Sequence, residues 1–156
     1  MLTLPLATGR DDAPAGSPAG EDAGLRYRHR RVHYVEDNET NVEVMRGMLL
    51  QRPQVSLTVS TLGLDGLVAI RTQRPDLILL DMHLPDVDGL ELLRQLQRDP
   101  LCADIPVVVI SADATPGGIE QALAAGARHY LTKPVNLAGL LEVLDELLES
   151  MDTQFG

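Results

Sequence analysis

Glu36 and Asp37, Asp81, Ser111 and Lys133 have the types and the settings to handle a divalent cation and a phosphoryl group. Each stands directly after a mainly apolar segment, in "RVHYVED", "LILLD", "VVVIS" and "ARHYLTKP". Carboxylates gathered in one place repel each other and lose hydration, so a fold keeps them where a cation or a shared proton compensates. A small, all-oxygen ligand set beside a phosphate site favours Mg2+ over zinc, and the lone Cys102 offers neither a zinc cluster nor an internal disulfide. A carboxylate is a workable nucleophile toward phosphorus once the incoming charge is neutralised, a task a cation and Lys133 can share.

Taken singly, each of these residues has an ordinary explanation. Glu36, Asp37 and Asn38 suit the start of a helix, Ser111 suits a turn, and Lys133 suits a solvated loop. What joins them is the architecture that must place them. From residue 31 the pattern alternates: "RVHYV" (strand), 39–51 (helix), "VSLTV" (strand), 63–73 (helix), "DLILL" (strand), 88–98 (helix), "IPVVVI" (strand), 116–125 (helix), "ARHYL" (strand) and 137–149 (helix). Five strand and helix pairs predict an α/β fold, a doubly wound parallel sheet with helices on both faces. In such a sheet, sites form at the carboxyl ends of the strands, where the strand order reverses. Three carboxylates, one hydroxyl and one ammonium are therefore expected to converge at one edge.

Local chemistry supports these assignments. Leu137, Leu140, Leu141, Leu144, Leu147 and Leu148 follow helical spacing, with Glu142, Asp145, Glu146 and Glu149 between them, so that helix is expected to dock by its leucines. Asp88 and Glu91 have the spacing of a capping box, and Pro116 suits a first helical turn. The third and fourth strands are nearly continuous aliphatic runs, as central strands require.

The chain has 156 residues, 44% of them hydrophobic, enough for one domain with a substantial core. Its net charge of −10 argues against general nucleic-acid binding, which needs surplus Lys and Arg. No apolar run has the length of a membrane helix, and no secretory leader is evident, so a soluble cytoplasmic protein without membrane insertion is expected. Residues 1–30 are expected to be a flexible tail, since "ATGRDDAPAGSPAGEDAG" has almost nothing to bury. The folded domain is expected to span 31–150, with 151–156 as a second tail.

"YVEDNETN", "LILLDMHLPDVDG", "VVVISADAT" and "GARHYLTKPV" together resemble the successive signatures of the receiver domain of two-component response regulators. The resemblance covers about residues 31–150. It implies a flavodoxin-like sheet of order 2-1-3-4-5 and a phosphorylation switch. Asp81 would accept a phosphoryl group from a histidine kinase or a histidine phosphotransfer protein. Asp37, Asp81 and the backbone carbonyl of His83 would bind Mg2+, with Glu36 acting directly or through water. Ser111 and Lys133, the latter followed by Pro134, would hold the phosphoryl oxygens, and Tyr130 would move inward with Ser111. His83 and Asp113 occupy positions that tune the phosphoryl lifetime. Output would pass through the face made by the last two strands and helices. Such a domain catalyses its own phosphorylation and slow dephosphorylation and is no turnover enzyme.

Glu36 stands where the family more often has Asp, which keeps the charge and lengthens the reach. His33 and His129 lie in strands and are expected to pack or face solvent. Arg26, Arg28, His29, Arg30 and Arg31 read as a solvated flank. A haloacid-dehalogenase-like phosphohydrolase would carry a second Asp where this chain has His83, a nucleotide-binding module would need a Gly-rich loop after the first strand, and a degenerate receiver acting as a docking module would normally have lost one of the five key residues. The opening "LTLPLA" resembles the closing strand of a histidine kinase ATP-binding domain, which would make this the receiver of a hybrid kinase.

Overall fold

The strands form where β-branched, aliphatic and aromatic residues are concentrated: β1 (Arg30–Val35), β2 (Val55–Ser60), β3 (Leu77–Asp81), β4 (Val107–Ser111) and β5 (His129–Thr132). Between and after them lie α1 (Glu39–Leu49), α2 (Gly63–Gln73), α3 (Gly89–Arg98), α4 (Pro116–Ala124) and α5 (Leu137–Phe155). The computed structural model describes residues 27–155, with side chains through Met151. The five strands are all parallel and ordered β2-β1-β3-β4-β5, as the sequence led us to expect. No described helix is long and apolar enough to cross a membrane.

The period-two alternation of the central strands divides the core. Leu77 and Leu79 of β3 and Val108 and Ile110 of β4 face α1 and α5, joining Tyr34, Met45, Leu140, Leu144 and Leu148. Ile78, Leu80, Val107 and Val109 face the other way, against Ile70 of α2, Leu92, Leu93 and Leu96 of α3, and Ala122 of α4. Both faces of β3 and β4 are covered, so a polar residue is tolerated only where these strands end.

Four of the five helix starts are capped by short polar side chains, among them Asn136, which accepts from Gly139 N before α5. Asn38 accepts from Asn41 N before α1, Asp88 from Leu90 N before α3, and Thr115 from Gly118 N before α4, with Pro116 in the first turn. The capping box expected at α3 is only half formed, because Glu91 turns to Arg98. α2 ends on Arg74 in the left-handed region (φ 47°), its N–H bonded to Ile70 O, and the turn after α4 uses Gly126 at φ +117°.

Two expectations need correction, and one buried charge was not anticipated. The folded unit begins before residue 31: Tyr27 is 5% exposed and packs into the core beneath α5, Arg30 starts β1, and His29 bonds Ser56. Aromatic burial offsets the ordering of this segment. Asp145, one of the acidic residues set between the leucines of α5, is buried and bonded by both Nε and Nη2 of Arg52 at 2.8 and 2.6 Å. A charge inside a fold needs such a bidentate partner. α5 continues past residue 149 to Phe155 where a tail was expected. The linker and the "LTLPLA" segment lie outside the described residues.

Candidate functional site

β1, β3 and β4 deliver their last residues to the same edge. β1 pairs with β3 through Val35↔Leu80, so Glu36 and Asp81, each the next residue on, emerge side by side. β4 pairs with β5 through Ser111↔Thr132, so Ser111 and Lys133 follow suit, and Lys133 N donates to Ser111 O at 2.9 Å. Glu36, Asp81 and Ser111 are almost fully buried, at 1, 2 and 1% exposure, while Asp37 lies open to solvent. The Lys133–Pro134 peptide is cis.

Lys133 Nζ sits 3.2 Å from Glu36 Oε1 and 3.2 Å from Asp81 Oδ1. Asp81 Oδ1 also accepts from His83 N at 3.3 Å, whereas Oδ2 has no hydrogen-bond partner among the described residues. Carboxylate oxygens of Glu36, Asp37 and Asp81 lie within 4.8 Å of one another, the one acidic metal-type cluster among the described residues. One ammonium faces three carboxylates, so the cluster keeps surplus negative charge that a hard divalent cation suits.

The pKa values of the two buried carboxyls are shifted in opposite directions. Burial raises the pKa of Asp81 and the Glu36 charge raises it further, with Lys133 opposing. Burial also pushes Glu36 upward, but hydrogen bonds from Tyr34 and Asn38 and the charge of Lys133 overcome it and leave Glu36 below its usual value. For Lys133, burial favours the neutral amine, yet Asp81 and Glu36 outweigh it and raise the pKa, so the ammonium persists. In the absence of a cation, the site therefore favours the neutral form of Asp81 and the ionised form of Glu36, each relative to an ordinary carboxyl of its type.

Tyr34 was not recognised from sequence. Its hydroxyl donates to Glu36 Oε1 at 2.8 Å from within the core, holding the longer Glu side chain against Lys133. Its place two residues before Glu36, on the same face of β1, was the available signal. Tyr130 is half-buried and donates to Asp113 O at 2.6 Å, which ties β5 to the loop after β4. Ser111 Oγ accepts from Asp113 N in that same loop. Asp113 itself receives the N–H and hydroxyl of Thr115, which lower its pKa. His83 is exposed on the rim. His33 lies away from the cluster, bonded to Thr58 and Ser60, and His129 faces Glu146.

The family model for the response regulator receiver domain matches residues 32–145. The polar-differentiation response regulator DivK of Brucella anthropi is 34% identical over 119 residues, which span 76% of this chain and 96% of DivK. The receiver domain of the sensor histidine kinase PA1611 from Pseudomonas aeruginosa, whose structure has a magnesium ion coordinated in the active-site cleft, is 30% identical with a TM-score of 0.69, covering 76% of this chain and 97% of that one. The manganese-bound form of the response regulator Rcp1 is 28% identical with a TM-score of 0.64, over 76% and 91% of the two chains.

Proposed function

The chain belongs to the response regulator receiver family, and from that premise we propose that Asp81 is the residue phosphorylated in a two-component or phosphorelay pathway, with a phosphohistidine as donor. The observation that carries this reading is Asp81 itself: a buried carboxylate fixed through Oδ1 by Lys133 and His83 N, with Oδ2 unengaged.

The residues divide the work. In the transfer an oxygen of Asp81 forms a bond to phosphorus as the phosphorus–nitrogen bond of the donor histidine breaks, and the imidazole leaves with the bonding pair. Lys133 and the Ser111 hydroxyl would take the transferred oxygens, and because they sit on rigid strand ends their contribution is positioning and charge. Glu36, Asp37, Asp81 and the His83 carbonyl would hold Mg2+, which when bound neutralises charge on the phosphoryl oxygens. Ser111, drawn toward the new phosphoryl group, would release the Asp113 amide, and Tyr130, bonded to the Asp113 carbonyl, would follow. That couples the site to the surface of α4, β5 and α5, a shift between pre-existing states read by a partner. His83 and Asp113 flank the entrance and would set how readily water reaches the phosphoryl group.

The donor is a histidine kinase or a histidine phosphotransfer protein, and a cytoplasmic setting fits such a donor. An apolar groove of Val44, Met45, Met48, Pro134 and Val135 opens beside Lys133 and offers that donor a surface. The phosphohydrolase alternative gains no support, and all five key residues of an active receiver are present. Intact-mass measurement after incubation with a small phosphoryl donor and Mg2+ tests the reading. One phosphoryl group should appear on Asp81, chelation should suppress it, and Asp81→Asn should abolish it; a full signal on the Asn variant would sink the assignment.

A further inference from the structure

The loop from β3 to α3 carries the His83 carbonyl, and it is tied at two places. At its base, Gly89 N donates to Met82 O at 3.2 Å, and His83 pairs with Asp88 in an isolated bridge. A Cβ on Gly89 would come within 2.5 Å of Met82 Cα, so only glycine permits that closure. At its tip, Asp86 reaches to a different element. Its Oδ1 accepts from Gly63 N at 2.8 Å and its Oδ2 from Leu64 N at 3.0 Å.

These are first-turn amides of α2, which no helix can satisfy internally. The N-cap residue of α2, Leu62, supplies no side-chain bond. A residue in place of Leu62 could have capped α2 locally, as Asn38 and Thr115 cap their own helices. Capping from Asp86 instead fixes the distance between the loop and α2. Gly63 completes the joint, because a Cβ there would lie 2.2 Å from Val87 Cγ1 in the same loop. The loop is thus held by its base, by the two bonds of Asp86 and by the close approach at Gly63.

We propose that Asp86 is a positioning residue for the cation subsite: by clamping the tip of the β3–α3 loop to the start of α2, it holds the His83 carbonyl in place and so sets the affinity for Mg2+. The inference rests on the functional reading above. A loop free at its tip must be ordered when a ligand binds, and that lost entropy is subtracted from affinity; a loop already clamped avoids the loss. Asp86 touches neither cation nor phosphoryl group in this scheme and acts only through the loop.

Asp86 is exposed, so truncating it opens no core cavity. The test uses the full chain, Mg2+ titrated by calorimetry, and phosphorylation by a small donor over a range of Mg2+ concentrations. Asp86→Ala should weaken Mg2+ binding by about threefold to tenfold, at or below the usual loss for a group supporting a metal ligand. The rate at saturating Mg2+ should stay within about twofold of wild type, the mark of lost ground-state binding. Asp86→Asn, which keeps one acceptor oxygen, should fall between wild type and Ala, and Gly63→Ala should reproduce the loss by forcing Val87 away. Hydrogen exchange at the Gly63 and Leu64 amides should speed up in Asp86→Ala. If those amides are released while Mg2+ affinity stays at the wild-type value, or if only the saturated rate falls, Asp86 merely caps a helix and the proposal is overturned. A wild-type protein that neither binds Mg2+ nor accepts a phosphoryl group would overturn the functional reading and this inference with it, a result distinct from a variant that matches a functional wild type.

Discussion

Replacing Asp81 by Asn should stabilise the metal-free protein while removing its capacity to gain stability from Mg2+. Asp81 is 2% exposed, its Oδ1 is 3.2 Å from Lys133 Nζ, and a Glu36 oxygen lies within 4.8 Å of it. At an effective dielectric of ~20, the Lys133 attraction comes to about 5 kcal/mol and the Glu36 repulsion to at least about 3.5 kcal/mol. Asp37 adds a smaller, water-screened repulsion, and desolvation of the carboxylate costs several kcal/mol more. The unfavourable contributions therefore exceed the favourable one by about 1–2 kcal/mol, the size of gain often found when a functional site is neutralised. Asn has nearly the same shape and keeps an acceptor for Lys133 and for His83 N. For a folded unit of this length the melting temperature should rise by roughly 4–8 °C. The pH dependence has a definite sign. Because burial and Glu36 raise the pKa of Asp81 above 3.8, its penalty is absent in acid and grows as pH rises through the ordinary carboxylate range to the raised value. The advantage of the Asn variant must therefore open as pH rises above about 4. Glu36, held below its usual value, adds stability at neutral pH that is lost on acidification in both proteins, so to first order it cancels. The assay is thermal unfolding by circular dichroism in EDTA at several pH values, repeated with Mg2+. Free Mg2+ at a hundred times its Kd should add about 2.7 kcal/mol to wild type and none to the variant. A wild type more stable than Asp81→Asn in neutral EDTA would refute the electrostatic reasoning.

Ser111→Ala should still accept a phosphoryl group, but amide shifts across residues 112–136 should respond less than in wild type, since the Ser111 bond to the Asp113 amide is the link toward Tyr130; equal responses in both proteins would exclude that coupling. His33 is 1% exposed and burial lowers its pKa below 6.5, so the unfolded chain binds the proton more readily and stability should fall as pH drops below 6.5, by at most about 1.4 kcal/mol per pH unit. His33→Gln should flatten that decline in a pH series of melts, and an unchanged slope would assign it to other groups.

Much of the molecule could be read from local patterns. Aliphatic runs marked β3 and β4, short polar residues stand at four of the five helix starts, and the types of residue after each strand pointed to one chemistry. A parallel sheet puts every strand end on one edge, so Glu36, Asp37, Asp81, Ser111 and Lys133 were bound to meet once the alternation was recognised. These features depend on neighbours a few residues away, which is the range over which periodicity and capping act.

What tertiary structure alone decided depends on partners far apart in the chain. Tyr27 looks like the end of a polar tail until α5 covers it. Asp145 looks like one more charge on an acidic helix until Arg52 meets it 93 residues away in sequence. Asp86 looks like a turn residue until α2 presents its uncapped amides. The opposite pKa shifts of Glu36 and Asp81 come from burial and from a hydroxyl and an ammonium placed by other positions of the fold. Sequence spacing carries no distance between such groups, whereas the energy of a charge or a hydrogen bond depends on distance and on the water excluded around it.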